Sequence, residues 1–90
     1  LNSIKNLERL LKLHQLVETE STGSPRELGK KLGVSERSVY CLFEELRDYG
    51  ALVQFDRKRK TYYYQDDFEL QVNVSISVLS AGIITTSYHL

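Results

Sequence analysis

The 90-residue chain has no tryptophan and no methionine, one cysteine and one proline. The lone thiol, Cys41, has no partner for an intramolecular disulfide and no companion ligands for a zinc site, which fits a reducing intracellular compartment. An excess of either charge is also missing: 12 Lys and Arg stand against 12 Asp and Glu, for a formal net charge of zero. Bulk positive charge is therefore excluded as a means of holding nucleic acid, and any phosphate contact must come from local clusters. From Leu70 to Leu90 there is no Asp, Glu, Lys or Arg. That length suits a membrane helix, but Gln71, Asn73, four serines and two threonines argue against a spanning segment. No signal peptide is read at the start, and the absence of an initiating methionine leads to the expectation of a longer native protein. Glycine-rich phosphate loops and metal-ligand clusters are missing, and neither histidine has an acid or nucleophile at a recognisable spacing. The chain is accordingly not expected to be an enzyme or to carry a cofactor. Ninety residues make one domain with a small core, for which oligomerisation is a natural supplement.

What is present is helical pattern first. From Ser3, a plausible cap, to about Glu20, residues Ile4, Leu7, Leu10, Leu11, Leu13 and Val17 gather on half a helical wheel, with Lys5, Glu8, Arg9 and Lys12 opposite. His14 lies inside the apolar arc and reads as a core or interface histidine bonded to a backbone group. The arc is wider than one packing partner needs, which leaves part of it for a second subunit. "STGSP" (21–25) is loop chemistry leading into a second helix, Pro25 to about Leu32. Ser24 and Glu27 have capping-box spacing, and Pro25 fits the first helical position. Gly29 within that helix costs about 1 kcal/mol relative to Ala, most simply explained by another helix passing close by. Gly33 ends the helix. Ser35 caps a third helix running to Tyr49 and Gly50, with Val39, Leu42, Phe43 and Leu46 as its inner stripe. Arg37, Cys41, Glu44 and Asp48 lie opposite, flanked by Ser38 and Tyr40.

"ALVQFDRKRKTYYYQ" (51–65) has strand composition on both sides of a basic run, so Asp56 to Lys60 should be the tip of a β-hairpin. Four consecutive cations repel one another unless an anion is near; by itself such a run also suits a plain solvated loop. Phe68 to Val78 alternates apolar and polar residues without a break and predicts one long, half-buried strand. Ser80, Ala81 and Gly82 suit a turn, with Ile83 to Tyr88 returning as a weaker strand.

Helix, loop, helix, three-residue turn, helix, basic-tipped hairpin is a winged helix-turn-helix order. "SPRELGKKLGVSERSVYCLFEELRDYGAL" (24–52) resembles the winged helix-turn-helix at the N-terminus of many bacterial transcription regulators, in the type 11 and deoxyribose-repressor-like group. The likeness covers about residues 4 to 65. It implies an α+β, mostly α fold with a winged helix-turn-helix domain over 1–66; beyond the likeness, residues 67–90 are expected to form a C-terminal β extension, whose long uncharged strand from Phe68 to Val78 invites pairing with a second chain if left bare. The likeness further implies sequence-specific binding of double-stranded DNA by a cytoplasmic regulator; the bare strand adds the expectation of a homodimer, and no membrane partner and no small-molecule ligand within this chain are expected. Ser24 and Arg26 would meet a phosphate at a helix N-terminus. Ser35, Arg37, Ser38, Tyr40 and Cys41 would enter the major groove, with Arg37 the best placed for guanine or phosphate and Tyr40 for a phosphate or a thymine methyl. Arg57, Lys58, Arg59 and Lys60 would lie along the backbone or reach the minor groove. Relatives often have a basic or hydrogen-bonding residue where Cys41 stands, and a thiol reads bases poorly. A redox role for Cys41 competes with that of a small inert side chain. Relatives usually add a large ligand-binding domain after the wing, for which residues 66–90 are too few. From another class comes the alternative of a winged-helix docking module that binds protein and not DNA, which the net neutrality and the glutamates of the third helix leave open.

Overall fold

The computed structural model describes residues 2–71, 73–79 and 83–89, with side chains placed over 4–71. Three helices come first, α1 (Asn2–Glu18), α2 (Pro25–Leu32) and α3 (Glu36–Asp48). Two antiparallel hairpins follow, β1 (Val53–Asp56) with β2 (Thr61–Tyr64) and β3 (Asn73–Leu79) with β4 (Ile83–His89). The fold is the expected α+β, mostly helical, winged arrangement. Ser3 lies inside α1 and does not cap it, and α1 stops at Glu18, short of Glu20.

The core forms where the helical stripes converge. Leu13 and Val17 of α1, Leu28 of α2, and Val39, Phe43 and Leu46 of α3 are all but sealed from solvent. Each such side chain contributes about 1.5–3 kcal/mol through burial. The first hairpin closes the core with Val53 and Tyr62, and Tyr62 stacks on Phe43 at a centroid distance of 4.3 Å. Further out, Phe55 stacks on Tyr62 at 4.8 Å. Leu52 precedes β1 and is exposed. Of the wide arc on α1, Leu10, Leu13 and Val17 are buried, Leu7 and Leu11 are half-buried, and Ile4 stands in solvent.

Beyond β2 the expected long strand does not begin at Phe68. Residues 67–71 are irregular, and they turn Phe68 and Leu70 into the core: Leu70 is buried, and Phe68 packs edge-on to His14 at 5.8 Å and against Tyr64 at 5.1 Å. Strand structure starts at Asn73, in register with His89, and β4 runs one residue past Tyr88. The turn expected at Ser80 to Gly82 lies outside the described residues. His14 is bonded to a side chain and not, as expected, to the backbone: its Nδ1 is 2.8 Å from the Tyr64 hydroxyl, with Glu18 3.7 Å from Nε2. Burial, then the Glu18 charge, push the Tyr64 hydroxyl well above its ordinary range.

Candidate nucleic-acid interface

The corner between α2 and α3 is built from local chemistry. Ser24 Oγ accepts from the Glu27 amide (3.2 Å), and the Ser24 amide donates back to Glu27 Oε1 (3.3 Å), completing the capping box. These bonds, and after them Lys31 and Lys60, hold the Glu27 carboxyl below its ordinary range. At the other end Gly33 adopts φ 69°, and its amide donates to Lys30 O (3.3 Å) while that of Val34 donates to Gly29 O (2.9 Å). This is a Schellman motif, and it folds the chain back over Gly29. A Cβ there would lie 2.9 Å from Val34 O. The close neighbour is thus the turn itself and the entry to α3, not a crossing helix.

Ser35 opens α3 by accepting from the Ser38 amide (3.1 Å), and its hydroxyl donates to Ser38 Oγ (3.1 Å). Asn6 fixes the helix from behind, donating to both oxygens of Glu45 (3.0 and 3.1 Å). With Val39, Leu42, Phe43 and Leu46 turned inward, Arg37, Tyr40, Cys41, Glu44 and Asp48 face solvent. The outer surface has two sides. Burial above all raises the Tyr62 hydroxyl, and Tyr40, Arg47 and Glu36 are near enough to act on it electrostatically. Phe43 of α3 stacks on Tyr62 of the wing, and Glu36, Tyr40 and Arg47 share its stripe at helical spacing, so that stripe borders the wing, whereas Arg37 and Cys41 are each one residue further round the helix.

The wing turn, residues 57–60, is organised by Asp56. Its Oδ1 accepts from the amides of Lys58 (2.9 Å) and Arg59 (3.2 Å), and Oδ2 accepts from Arg59 Nε (2.8 Å). Those bonds, the Arg59 side chain foremost, lower the Asp56 carboxyl from its usual range. The turn closes at Lys60 with φ 52°, in the left-handed region. At its base, Thr22 and Thr61 tie the wing to the loop before α2: the Tyr62 amide donates to Thr22 Oγ1 (2.8 Å) and the Thr22 amide to Thr61 Oγ1 (3.2 Å). Both threonines are buried. The knot brings the end of the basic run beside the start of α2, close enough for Lys60 to act on Glu27.

Residues 9–65 match the family model described as an HTH domain. The chain belongs to this helix-turn-helix domain family. The comparisons with curated proteins and with solved structures returned no match. HTH domains of this family are DNA-binding modules and not enzymes, and the order of three helices and a hairpin is that of the winged type.

Within the HTH domain the residues singled out by sequence, apart from the exposed Tyr40 and Cys41, fall into three groups. Arg26, Arg37, Arg57, Lys58 and Lys60 are exposed and form no ion pair among the described residues. Ser24, Ser35 and Ser38 have their hydroxyls engaged in capping. Arg59 alone of the basic run is committed elsewhere, to Asp56 and to Glu20 (2.7 Å), with its guanidinium 5.8 Å above the Tyr63 ring. Sequence reading missed Thr22, Thr61, Glu20 and Tyr63, whose parts depend on pairings distant in the chain. A groove of about 560 Å³ beside β2 collects Glu18, Glu20, Asp66, Asp67 and Glu69 around Tyr63 and Phe68. Among the described residues no group of His, Cys, Asp and Glu is arranged to hold a metal, and no helix is long and apolar enough to cross a membrane.

Proposed function

We propose that this HTH domain binds double-stranded DNA sequence-specifically, as part of a bacterial transcription regulator acting in the cytoplasm. In this reading α3 enters the major groove, with Arg37 reading guanine or holding a phosphate and Cys41 beside it. Tyr40, on the wing-side stripe, meets the backbone or a thymine methyl, and Arg57, Lys58 and Lys60 follow the phosphates. Arg26 and the Ser24 and Ser35 corners meet phosphates at the two helix starts. The observation that carries the reading is the set of exposed cations that form no ion pair among the described residues, Arg26, Arg37, Arg57, Lys58 and Lys60, on the helix-turn-helix and wing of a chain with no net charge.

The test is anisotropy of a fluorescent duplex across a salt series. A slope of log K against log salt corresponding to about three to six released counterions is expected. On a selected site, Arg37→Ala should cost about 1–3 kcal/mol and relax sequence preference, whereas Lys58→Ala should weaken all sequences alike. Exposed Glu36, Glu44 and Asp48 on α3 favour a second reading, a docking module for protein partners. An absence of duplex binding even at low salt would give that reading the lead.

The same proposal includes a homodimer formed through the C-terminal extension, residues 67–90. What supports it is the β3–β4 hairpin, without charge on either strand, since a two-stranded ribbon is marginal alone and uncharged edges invite pairing. A two-fold dimer suits half-sites about one helical turn apart. Sedimentation showing only monomer at high micromolar concentration would refute this part.

A further inference from the structure

We propose that Arg59 positions the wing and is withheld from DNA, and that Glu20 is the group that withholds it. The inference rests on the DNA-binding reading above and divides its basic run into two functions. The side chain of Arg59 is spoken for on three sides: Nε donates to Asp56 Oδ2 (2.8 Å), a terminal nitrogen donates to Glu20 Oε1 (2.7 Å), and the guanidinium plane lies over Tyr63. Asp56 is at the same time the acceptor for the amides of Lys58 and Arg59 that shape the turn. Arg59 thus links the turn to the loop after α1, in a planar fork that a lysine would not reproduce. Arg57, Lys58 and Lys60 have no such ties among the described residues.

Glu20 is itself held in place. It sits at φ 53°, in the left-handed region that glutamate seldom adopts, where the chain leaves α1, and its amide donates to Val17 O (3.0 Å). Its carboxylate therefore meets Arg59 from a fixed backbone position. A phosphate and Glu20 compete for one guanidinium, and with Glu20 present the wing offers three cations to DNA instead of four. The pair is half-exposed on both partners, with side chains 53 % and 42 % accessible, so the latch is one that a change in charge can open.

The experiment is the salt-dependent duplex titration on four proteins: unaltered, Arg59→Ala, Glu20→Gln and the double substitution. Glu18→Gln serves as the control for loss of one negative charge, and thermal melts check folding. Each phosphate contact adds about 0.9 to the slope of log K against log salt. Arg59→Ala should weaken binding at every salt concentration, because the wing loses its brace, yet leave the slope unchanged, while Lys58→Ala lowers the slope by about 0.9. Glu20→Gln should steepen the slope by about the same amount beyond the effect of Glu18→Gln, and only while Arg59 is present. Loss of one counterion in Arg59→Ala, or an equal gain from Glu20→Gln with Arg59 removed, would overturn the inference and leave DNA binding standing. Failure of the unaltered protein to bind any duplex would remove the DNA reading and this inference together.

Discussion

Replacing Gly29 by alanine sets two effects of opposite sign against each other. In the interior of α2 alanine is favoured over glycine by about 1 kcal/mol, because it restricts the unfolded chain. Against that, the new Cβ would stand 2.9 Å from Val34 O and 3.6 Å from both Ser35 C and Glu36 N. The first of these atoms is backbone in the turn, anchored by the Val34 amide bond to Gly29 O and by the Ser35 cap. A backbone so held does not swing aside as the end of a lysine would, and overpacking of this kind costs about 1–3 kcal/mol. The net expectation is a loss of about 1 kcal/mol, or roughly 4–8 °C in the thermal midpoint of a domain this size. Urea denaturation reads the loss, and amide chemical shifts from Ser35 to Val39 report displacement at the head of α3. Gly33→Ala is the comparison: nothing lies within 4 Å of its Cβ, and its cost comes from φ 69° alone. The reasoning is refuted if Gly29→Ala is more stable than the unaltered chain and the α3 amides do not move.

Two other perturbations test the parts that hold the wing and α2. Thr22→Val keeps the shape but strips the buried Tyr62 amide of its acceptor and Gly23 O of its donor; a loss of about 2–4 kcal/mol in urea denaturation is expected, with Thr22→Ser close to neutral, and equal stability of valine and threonine would contradict it. Glu27→Gln addresses pH. The Glu27 carboxyl titrates below its ordinary range in the folded chain, so its contribution is present above that range and lost as pH falls through the folded value. Thermal midpoints measured from about pH 6 to pH 3 should fall less steeply in Glu27→Gln than in the unaltered protein.

Much of the helix-turn-helix was legible because its signals are local. Ser24, Pro25 and Glu27 announce a helix start within four positions, and Gly33 and Ser35 announce the end and the next start within three; each forms the bond its spacing implies. The wing turn was equally plain from composition. What failed did so where a local pattern continued past its cause. Phe68 and Leu70 keep the alternation of β3, yet they belong to the core, because the half-buried His14 and Tyr64 offer apolar surface that a strand would have left open. Gly29 signalled a close approach correctly, but the approaching atoms were five to seven residues further along the same chain. The division of labour among Arg57, Lys58, Arg59 and Lys60 was not legible at all. Four adjacent cations look alike in sequence; only the fold brings Glu20 to one of them.

The placing of charge along β2 has a consequence for how the molecule meets a polyanion. Arg57 to Lys60 precede this strand, and Asp66, Asp67 and Glu69 follow it, so its two ends are poles of opposite sign separated by about 3.3 Å per residue of strand. A body with no net charge but separated poles is drawn only weakly from afar and is rotated as it comes near. In the DNA-binding reading proposed above, the torque within a Debye length, about 8–10 Å in ordinary salt, would turn the wing toward the phosphates and the carboxylates away. Encounters are then sorted by orientation before any side chain touches a base, and the same poles disfavour the reversed approach.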